Sequence, residues 1–569
     1  MTDTIGRPDQ QQGASAAVPG GPELFNAATW MLERTATVTP DRRALLALGK
    51  AGEPDREVSY GELQDLVRRT AAGLLASGVR AEERLLLFMA DTPELVAMFL
   101  AGLYIGAVPV PVNTMLTGKD LAVLAADSRA RLLAISAEFA AAAALPAASS
   151  HLHDVIVVGG DLPVEVPARV RQWEQFLADA DQAAHDAAVQ PYPTVADSPG
   201  FWLYTSGTTG TPKGAMHRHG SLRSTAETYG ADVLGIGPDD VCFSAAKLFF
   251  AYGLGNSLTF PLSVGASTIL DPGRATPAAA AQILQRHRPT LFFGVPVVYA
   301  GLLADDVPAG AFSGVRLCLS AGEAMPAELC RQFMNRFGVE LLDGIGSTEV
   351  LHIFLSNRPG RVRPGTTGEP VAGYQLRLED DEGNPVPDGE PGNLYVQGES
   401  NATGYWCRTE LTRRVFRGSW LRTGDTYVRS SDGYYTAMGR SDDVLKAGGI
   451  WVSPAEVEDR LLQHGDVEQV AVVGIPDAAG LDKPVACVVL RPGSTLEADE
   501  LIAFCRSGLA AFKRPREIVI IEEMPRTATG KVQRFMARQL AVERLAADSS
   551  WEGSAASPGV SSSDASTSR

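Results

Sequence analysis

The densest chemical signal in the sequence is Tyr204-Thr-Ser-Gly-Thr-Thr-Gly-Thr-Pro-Lys213-Gly214. Gly207, Gly210 and Gly214 allow tight turns and close approach of backbone to a ligand. Thr205, Ser206, Thr208, Thr209 and Thr211 supply hydroxyls, and Lys213 adds a positive charge. A concave row of backbone N–H groups with hydroxyls and one lysine is what a polyphosphate needs. The spacing is not that of Walker A, in which Gly-Lys is followed by Ser or Thr. Here Pro212 precedes the lysine and Gly214 follows it.

Further motifs follow in chain order. Gly346-Ser347-Thr348-Glu349 offers a carboxylate, the hard oxygen ligand that Mg2+ prefers, or simply a capped helix start. Arg422-Thr-Gly-Asp425 presents a carboxylate able to take two adjacent hydroxyl donors, or a plain turn. Gly439-Arg440-Ser-Asp442-Asp-Val-Leu-Lys446-Ala-Gly448-Gly449 is by itself a charged turn and a glycine pair. Pro525-Arg-Thr-Ala-Thr-Gly530-Lys531 alone would be a loop with a solvated lysine.

These residues need a scaffold. Short Val/Ile/Leu/Phe segments (Arg84–Met89, Leu132–Ser136, Val155–Val158, Thr268–Leu270, Thr290–Phe293, Val315–Ser320) alternate with amphipathic stretches such as Tyr60–Ser77 and Pro277–His287. That alternation predicts layered α/β architecture with largely parallel sheets. The run Leu95 to Val112 approaches membrane-span length, but Pro109 and Pro111 would break a span, so it reads as a buried helix turning into a strand. Between about 364 and 438, short strand-like pieces separated by Gly, Pro, Asp and Asn predict a β-rich subdomain. Beyond it lies a small α+β unit with strands Val467–Val473, Pro484–Leu490 and Glu517–Ile521 and helices Pro454–Gln463, Glu497–Ser507 and Gln533–Ala546. The expected organisation is a disordered leader (1–22), a large domain (23–439), a small mobile domain (440–546) and a disordered tail (547–569).

The chain has 569 residues, 45% hydrophobic and 21% charged, with a formal net charge of −17. So acidic a chain argues against a general binder of nucleic acid or anionic membrane. Six sparse cysteines without a C-x-x-C pair suit reduced, mostly buried thiols in a cytoplasmic protein. The eight histidines show no HExxH or zinc-finger spacing.

Taken together, the motifs resemble the adenylate-forming superfamily: acyl- and aryl-CoA ligases, carrier-protein adenylation domains and luciferases. The resemblance extends over roughly residues 25–545. It implies ATP, Mg2+ and coenzyme A as cofactors. Lys213 and the loop (Thr205, Ser206, Gly207, Thr209, Gly210) would hold phosphates, while Thr208 and Glu349 would hold Mg2+. Gly322, Glu323, Asp343, Gly346, Ser347, Thr348, Asp425 and Arg440 would bind the nucleotide. Lys531 would be the catalytic lysine and Asp442 the hinge, and Lys446, Gly448 and Gly449 would line the thiol tunnel. The family usually has an aromatic where this chain has Ile345.

Two stretches, Ala246–Ala266 and Asp343–Asn357, resemble the benzoate–CoA ligase group. By that likeness Phe250 stands at a gate, and Ala251, Tyr252, Gly253, Gly294, Ser320, Ala321, Gly322, Ile345 and Ile353 wall the pocket for a small aromatic acid. Glycines at 253, 294 and 322 are expected to leave a slot for a flat ring. His352 would contact a ring substituent or cap a buried strand, and His217 and His219 are expected to be structural. The implied reaction is ATP-dependent aryl-CoA formation through aryl-AMP, by a monomer or homodimer; the alternative acceptor is a carrier-protein thiol.

Overall fold

The structure, a computed structural model, describes residues 22–50, 52–144, 151–163, 165–183, 189–206, 212–305, 307–440, 445–447, 450–476, 482–509, 513–526 and 532–547. At residues 182–183, 206, 445–447, 450–451, 476, 482 and 547 only the backbone is described. The expected leader (apart from residue 22) and most of the expected tail lie outside these residues.

Two sheets dominate the large domain. One has five strands, all parallel, in the order Val108–Pro111, Arg84–Phe88, Leu132–Ser136, Asp154–Val158, Arg169–Gln172. The other has nine. Its parallel centre runs Leu341–Gly346, Leu317–Ser320, Leu291–Gly294, Val241–Ser244, Ser267–Leu270, Arg43–Ala47. Antiparallel strands flank this centre on both sides: Arg56–Ser59, and Ile353–Ser356 followed by Glu369–Pro370. The central strands are apolar on both faces because both faces are covered.

Local chemistry sets the helix starts. Ser59 with Glu62, and Thr117 with Asp120, form capping boxes, and Thr276 caps the helix that opens at Pro277. The apolar run resolves into a helix, Pro93–Tyr104, buried at every residue but Glu94, and the strand Val108–Pro111. No helix among the described residues is long and apolar enough to cross a membrane.

From Gln375 to Arg440 the chain forms an antiparallel five-stranded sheet. The small C-terminal domain holds Val467–Pro476 antiparallel to Asp482–Leu490, which pairs in parallel with Glu517–Ile520. Strand alternation divides its core in two. Val472, Ala486, Val488 and Ile518 meet the helices Pro454–Leu462 and Ala498–Arg506, whereas Ala471, Val473, Val485, Cys487 and Val519 meet the helix Arg534–Ala547.

Candidate active site

The glycine-threaded loop is the tip of a hairpin, not the turn from a strand into a helix. Its arms are Pro199–Ser206 and Pro212–Arg218, with Thr205 paired to Lys213 and Tyr204 to Gly214. The tip (Gly207, Thr208, Thr209, Gly210, Thr211) lies outside the described residues, and of Ser206 only the backbone is described. The arms are held firmly. The Tyr204 hydroxyl donates to Asp127 Oδ2 at 2.7 Å, and Arg408 donates to Asp127 Oδ1 at 2.7 Å. The Trp406 ring lies 4.8 Å from that of Trp202, and its Nε1 donates to the Asp127 carbonyl.

Beside the hairpin runs the segment 402–408. Its Tyr405 pairs with Ala215, and its Trp406 N–H donates to the Gly214 carbonyl. The Tyr405 hydroxyl donates to Glu349 Oε1 at 2.7 Å, and its ring lies 5.7 Å from Lys213 Nζ. One tyrosine thus joins the loop lysine to the motif carboxylate. The Glu349 carbonyl accepts from Ala402 N–H at 2.7 Å, which fixes the backbone of that motif as well. His217, buried and stacked on Phe201, contacts the Thr348 carbonyl through Nε2 at 2.8 Å. Burial lowers its pKa to about 4, so it is a neutral strut between the hairpin and Gly346–Glu349. His219 accepts from Ala27 N–H and is likewise neutral through burial.

This geometry suits Mg2+. Among the described residues no three His, Cys, Asp or Glu side chains cluster as a metal cage. Mg2+ held by one or two protein oxygens and substrate phosphates needs no cage. Glu349, linked to Lys213 through Tyr405, would supply one such carboxylate next to the hairpin. Tyr405→Phe leaves the ring under Lys213 but frees Glu349. We expect it to weaken Mg2+-nucleotide binding about 10–100-fold, read by titrating Mn2+ with ATP by electron paramagnetic resonance.

The residues expected to wall the acid pocket converge at the carboxyl ends of four adjacent parallel strands, the usual ligand edge of such sheets. Phe250–Gly253 follows Val241–Ser244, and Gly294, Ser320 and Asp343 are direct neighbours in register. Ile353 sits opposite Gly346 on the adjoining antiparallel strand. The Tyr252 hydroxyl donates to the Leu319 carbonyl at 3.2 Å. Ala321 is buried and Ile345 half-buried.

His352 is 2% exposed, packed among Tyr229, Tyr252 and Phe260. Its Nε2 meets Asn256 Oδ1 at 3.2 Å, while Nδ1 has no partner. Burial lowers its pKa to about 3. It is therefore neutral, held against Asn256 through Nε2. A π-helical turn, Gly255–Thr259, delivers Asn256 to it.

Two expected slot glycines have another reason to be small. A Cβ at Gly253 would stand 2.1 Å from the Lys247 carbonyl oxygen, and one at Gly294 would stand 2.7 Å from the Tyr299 ring. Their bareness makes room for neighbouring protein. Gly322 has φ of +95°, a left-handed conformation that favours glycine.

Two of the residues expected on the nucleotide also meet. Asp425 and Arg440 are cross-strand partners joined at 3.1 Å. Asp343 is buried with Oδ1 unpartnered, and burial pushes its pKa to about 8. Glu323, expected on the nucleotide, accepts from the backbone N–H of Val532 at 2.9 Å. Lys531 itself, with Asp442, Gly448 and Gly449, lies outside the described residues, and Lys446 is described in backbone only, paired with Trp451. The residue after Lys531 is nonetheless tied to the loop that carries Ser320–Gly322.

Sequence reasoning missed Tyr405, Asn256 and Asp91. Asp91, 5% exposed, accepts Leu248 N–H with both oxygens at 3.2 Å and so braces the turn that carries Phe250. Burial raises its pKa to about 6 against the pull of Lys247. The one available signal was Gly404-Tyr405-Trp406, an aromatic pair inside a polar turn.

Layered α/β domains, a glycine-threonine hairpin beside a carboxylate, and a small C-terminal α+β domain define an adenylate-forming enzyme. A family model described as AMP-binding enzyme matches residues 32–406, and one described as AMP-binding enzyme C-terminal domain matches residues 456–531. The chain belongs to this family. It is 43% identical to a 4-hydroxybenzoate–CoA/benzoate–CoA ligase of Rhodopseudomonas palustris, over 88% of this chain and 92% of that protein. The fold matches a benzoate CoA ligase from Burkholderia xenovorans LB400 with TM-score 0.81 and 45% identity, covering 90% of this chain and 100% of the other. It also matches an anthranilate CoA ligase, AuaEII, in complex with anthranoyl-AMP, with TM-score 0.85 and 38% identity, covering 93% and 99%.

Proposed function

We propose that the chain is an ATP-dependent aryl-CoA ligase that activates benzoate or a substituted benzoate as aryl-AMP and transfers the aroyl group to coenzyme A. The observation that carries this reading is the joining of Lys213 and Glu349 through Tyr405, with Tyr252 packed on His352 and Ile353 paired to Gly346 on the adjoining strand. The relatives named above act on benzoate, 4-hydroxybenzoate or anthranilate, which supports a single-ring acid.

A carboxylate is a poor acyl donor because oxide is a poor leaving group. In the first step a carboxylate oxygen attacks the α-phosphorus of ATP, and pyrophosphate leaves. Two anions must meet, so positive charge has to be in place beforehand. Lys213 and the hairpin-tip amides would hold the outer phosphates. Thr208 and Glu349 would hold Mg2+, which neutralises phosphate charge when bound. Asp425 and Arg440 would take the ribose side. Lys531 would contact the attacking carboxylate and the α-phosphate, where charge develops. Most of the rate would come from positioning and charge neutralisation.

In the second step the CoA sulfur attacks the acyl carbon, AMP leaves and the thiol proton is lost to water. Lys531 would occupy the space the thiol needs, so the small domain (440–546) would turn about Asp442 and bring Lys446–Gly449 in. Asp442→Pro, which restricts that turn, is expected to spare aryl-AMP formation and suppress thioester formation from supplied aryl-AMP. Stopped-flow assay of the two half-reactions checks it, and finding both untouched would remove the hinge assignment.

Pyrophosphate release across benzoates, heteroaromatic acids and short fatty acids, with CoA added second, tests the substrate class. Single-ring aromatic acids should lead and free CoA should suffice. A requirement for a carrier-protein thiol would instead support aryl loading of a carrier.

A further inference from the structure

Asp459 makes a contact that the mechanism above does not use. The helix Ala327–Phe337 follows the pocket loop Ser320–Gly322, and its N-cap is Pro326, which offers no side-chain acceptor to the open N–H groups of the first turn. The acceptor comes from the other domain. Asp459, on the small-domain helix Pro454–Leu462, takes the Ala327 N–H on Oδ2 at 3.3 Å. A carboxylate there also meets the positive end of the helix dipole.

The same helix turn holds the segment of the catalytic lysine. Glu458, next to Asp459, takes both terminal guanidinium nitrogens of Arg534, the second of them at 3.0 Å. Arg534 also donates to the Val472 carbonyl at 2.9 Å. Val532, between Lys531 and Arg534, donates to Glu323 on the large domain. Two adjacent carboxylates on one helix thus face opposite ways. Glu458 grips Arg534 at the start of the helix Arg534–Ala547, and Asp459 grips the large domain at Ala327.

The contact is balanced, as a releasable one must be. Burial pushes the Asp459 carboxyl up to about 6, against the pull of the Ala327 and Glu328 N–H groups and of Arg331. Glu458 adds like charge, and Asp459 Oδ1 is buried without a partner. Undocking returns this carboxylate to water and leaves the first turn of Ala327–Phe337 uncapped.

We propose that Asp459 is the positioning residue that seats the small domain for aryl-AMP formation, by capping the large-domain helix Ala327–Phe337, and that this cap must break before the thiol step. The inference rests on the two-step reading above and names the residue that holds one of its two poses.

The test measures both half-reactions on the full chain: benzoyl-AMP formation from benzoate and MgATP, and benzoyl-CoA formation from supplied benzoyl-AMP and CoA. Asp459→Ala is expected to lower the ratio of the first rate to the second by about 5–30-fold, the range one helix cap is worth in an equilibrium. Asp459→Asn keeps a capping oxygen and should restore most of that ratio. Damage to the fold of the small domain would slow both half-reactions together and leave the ratio unmoved. An unmoved ratio in Asp459→Ala, whether the two rates fall in step or hold, overturns the latch. A wild-type chain that forms benzoyl-AMP but never benzoyl-CoA contradicts the CoA reading, and in that chain the first rate alone still reports on the seat: no loss in Asp459→Ala would sink it.

Discussion

Lys531→Ala is expected to cut aryl-AMP formation by about 100–1,000-fold while changing thioester formation from supplied aryl-AMP by no more than a few-fold. The asymmetry follows from where charge develops. When the carboxylate attacks the α-phosphorus, negative charge gathers on a centre that an ammonium stabilises better in the transition state than in the ground state. In the thiol step the acyl–oxygen bond of aryl-AMP breaks and AMP leaves, and Lys531 would by then have moved away. Val532, the residue after Lys531, donates its N–H to Glu323, next to the loop Ser320–Gly322. Equal losses in the two half-reactions would mean that Lys531 supports the fold or binds nucleotide uniformly, and the two-pose mechanism would fail.

Glu349→Gln should produce the second large effect, a loss of about 100–1,000-fold in aryl-AMP formation with a raised requirement for Mg2+. Glutamine keeps the shape and still offers an oxygen to the Tyr405 hydroxyl, which donates at 2.7 Å in the native protein. What it removes is charge. If Glu349 served only to anchor Tyr405 and the segment 402–408, the variant would behave like the native enzyme. A Mg2+ titration of pyrophosphate release separates the two cases, and an unchanged Mg2+ dependence would remove Glu349 from the metal.

The order of these effects reflects distance from the reacting atoms. Tyr405→Phe acts on Mg2+ through Glu349, and Asp459→Ala acts on Lys531 through a domain contact. Both should therefore be smaller than the changes at Glu349 and Lys531.

Much of this architecture could be read in the residues because local patterns and tertiary packing agree. Pro277–His287 is a helix at the expected bounds, since Thr276 caps it and Pro277 suits its first turn. The strands of the small domain fall where Val/Ile alternation placed them, and both faces are covered as period two requires. What stayed hidden depends on separation along the chain. Nothing near Glu349 announces Tyr405, and nothing near Leu248 announces Asp91, because each pair is brought together only when distant segments pack. The π-helical turn at Gly255–Thr259 was equally invisible, for hydrophobic spacing does not distinguish its wider turn from an α-turn. Gly253 and Gly294 show the converse hazard. Their smallness was legible, but its cause lies in the Lys247 carbonyl and the Tyr299 ring.

The central claim is that a carboxylate oxygen of the acid bonds to the α-phosphorus of ATP. Mass spectrometry of the products from benzoate labelled with oxygen-18 in both carboxyl positions tests it directly, in a single turnover with ATP, Mg2+ and CoA. The account requires one labelled oxygen in AMP, the other in the benzoyl-CoA carbonyl, and none in pyrophosphate. Unlabelled AMP, or label carried by inorganic phosphate beside ADP, would contradict it.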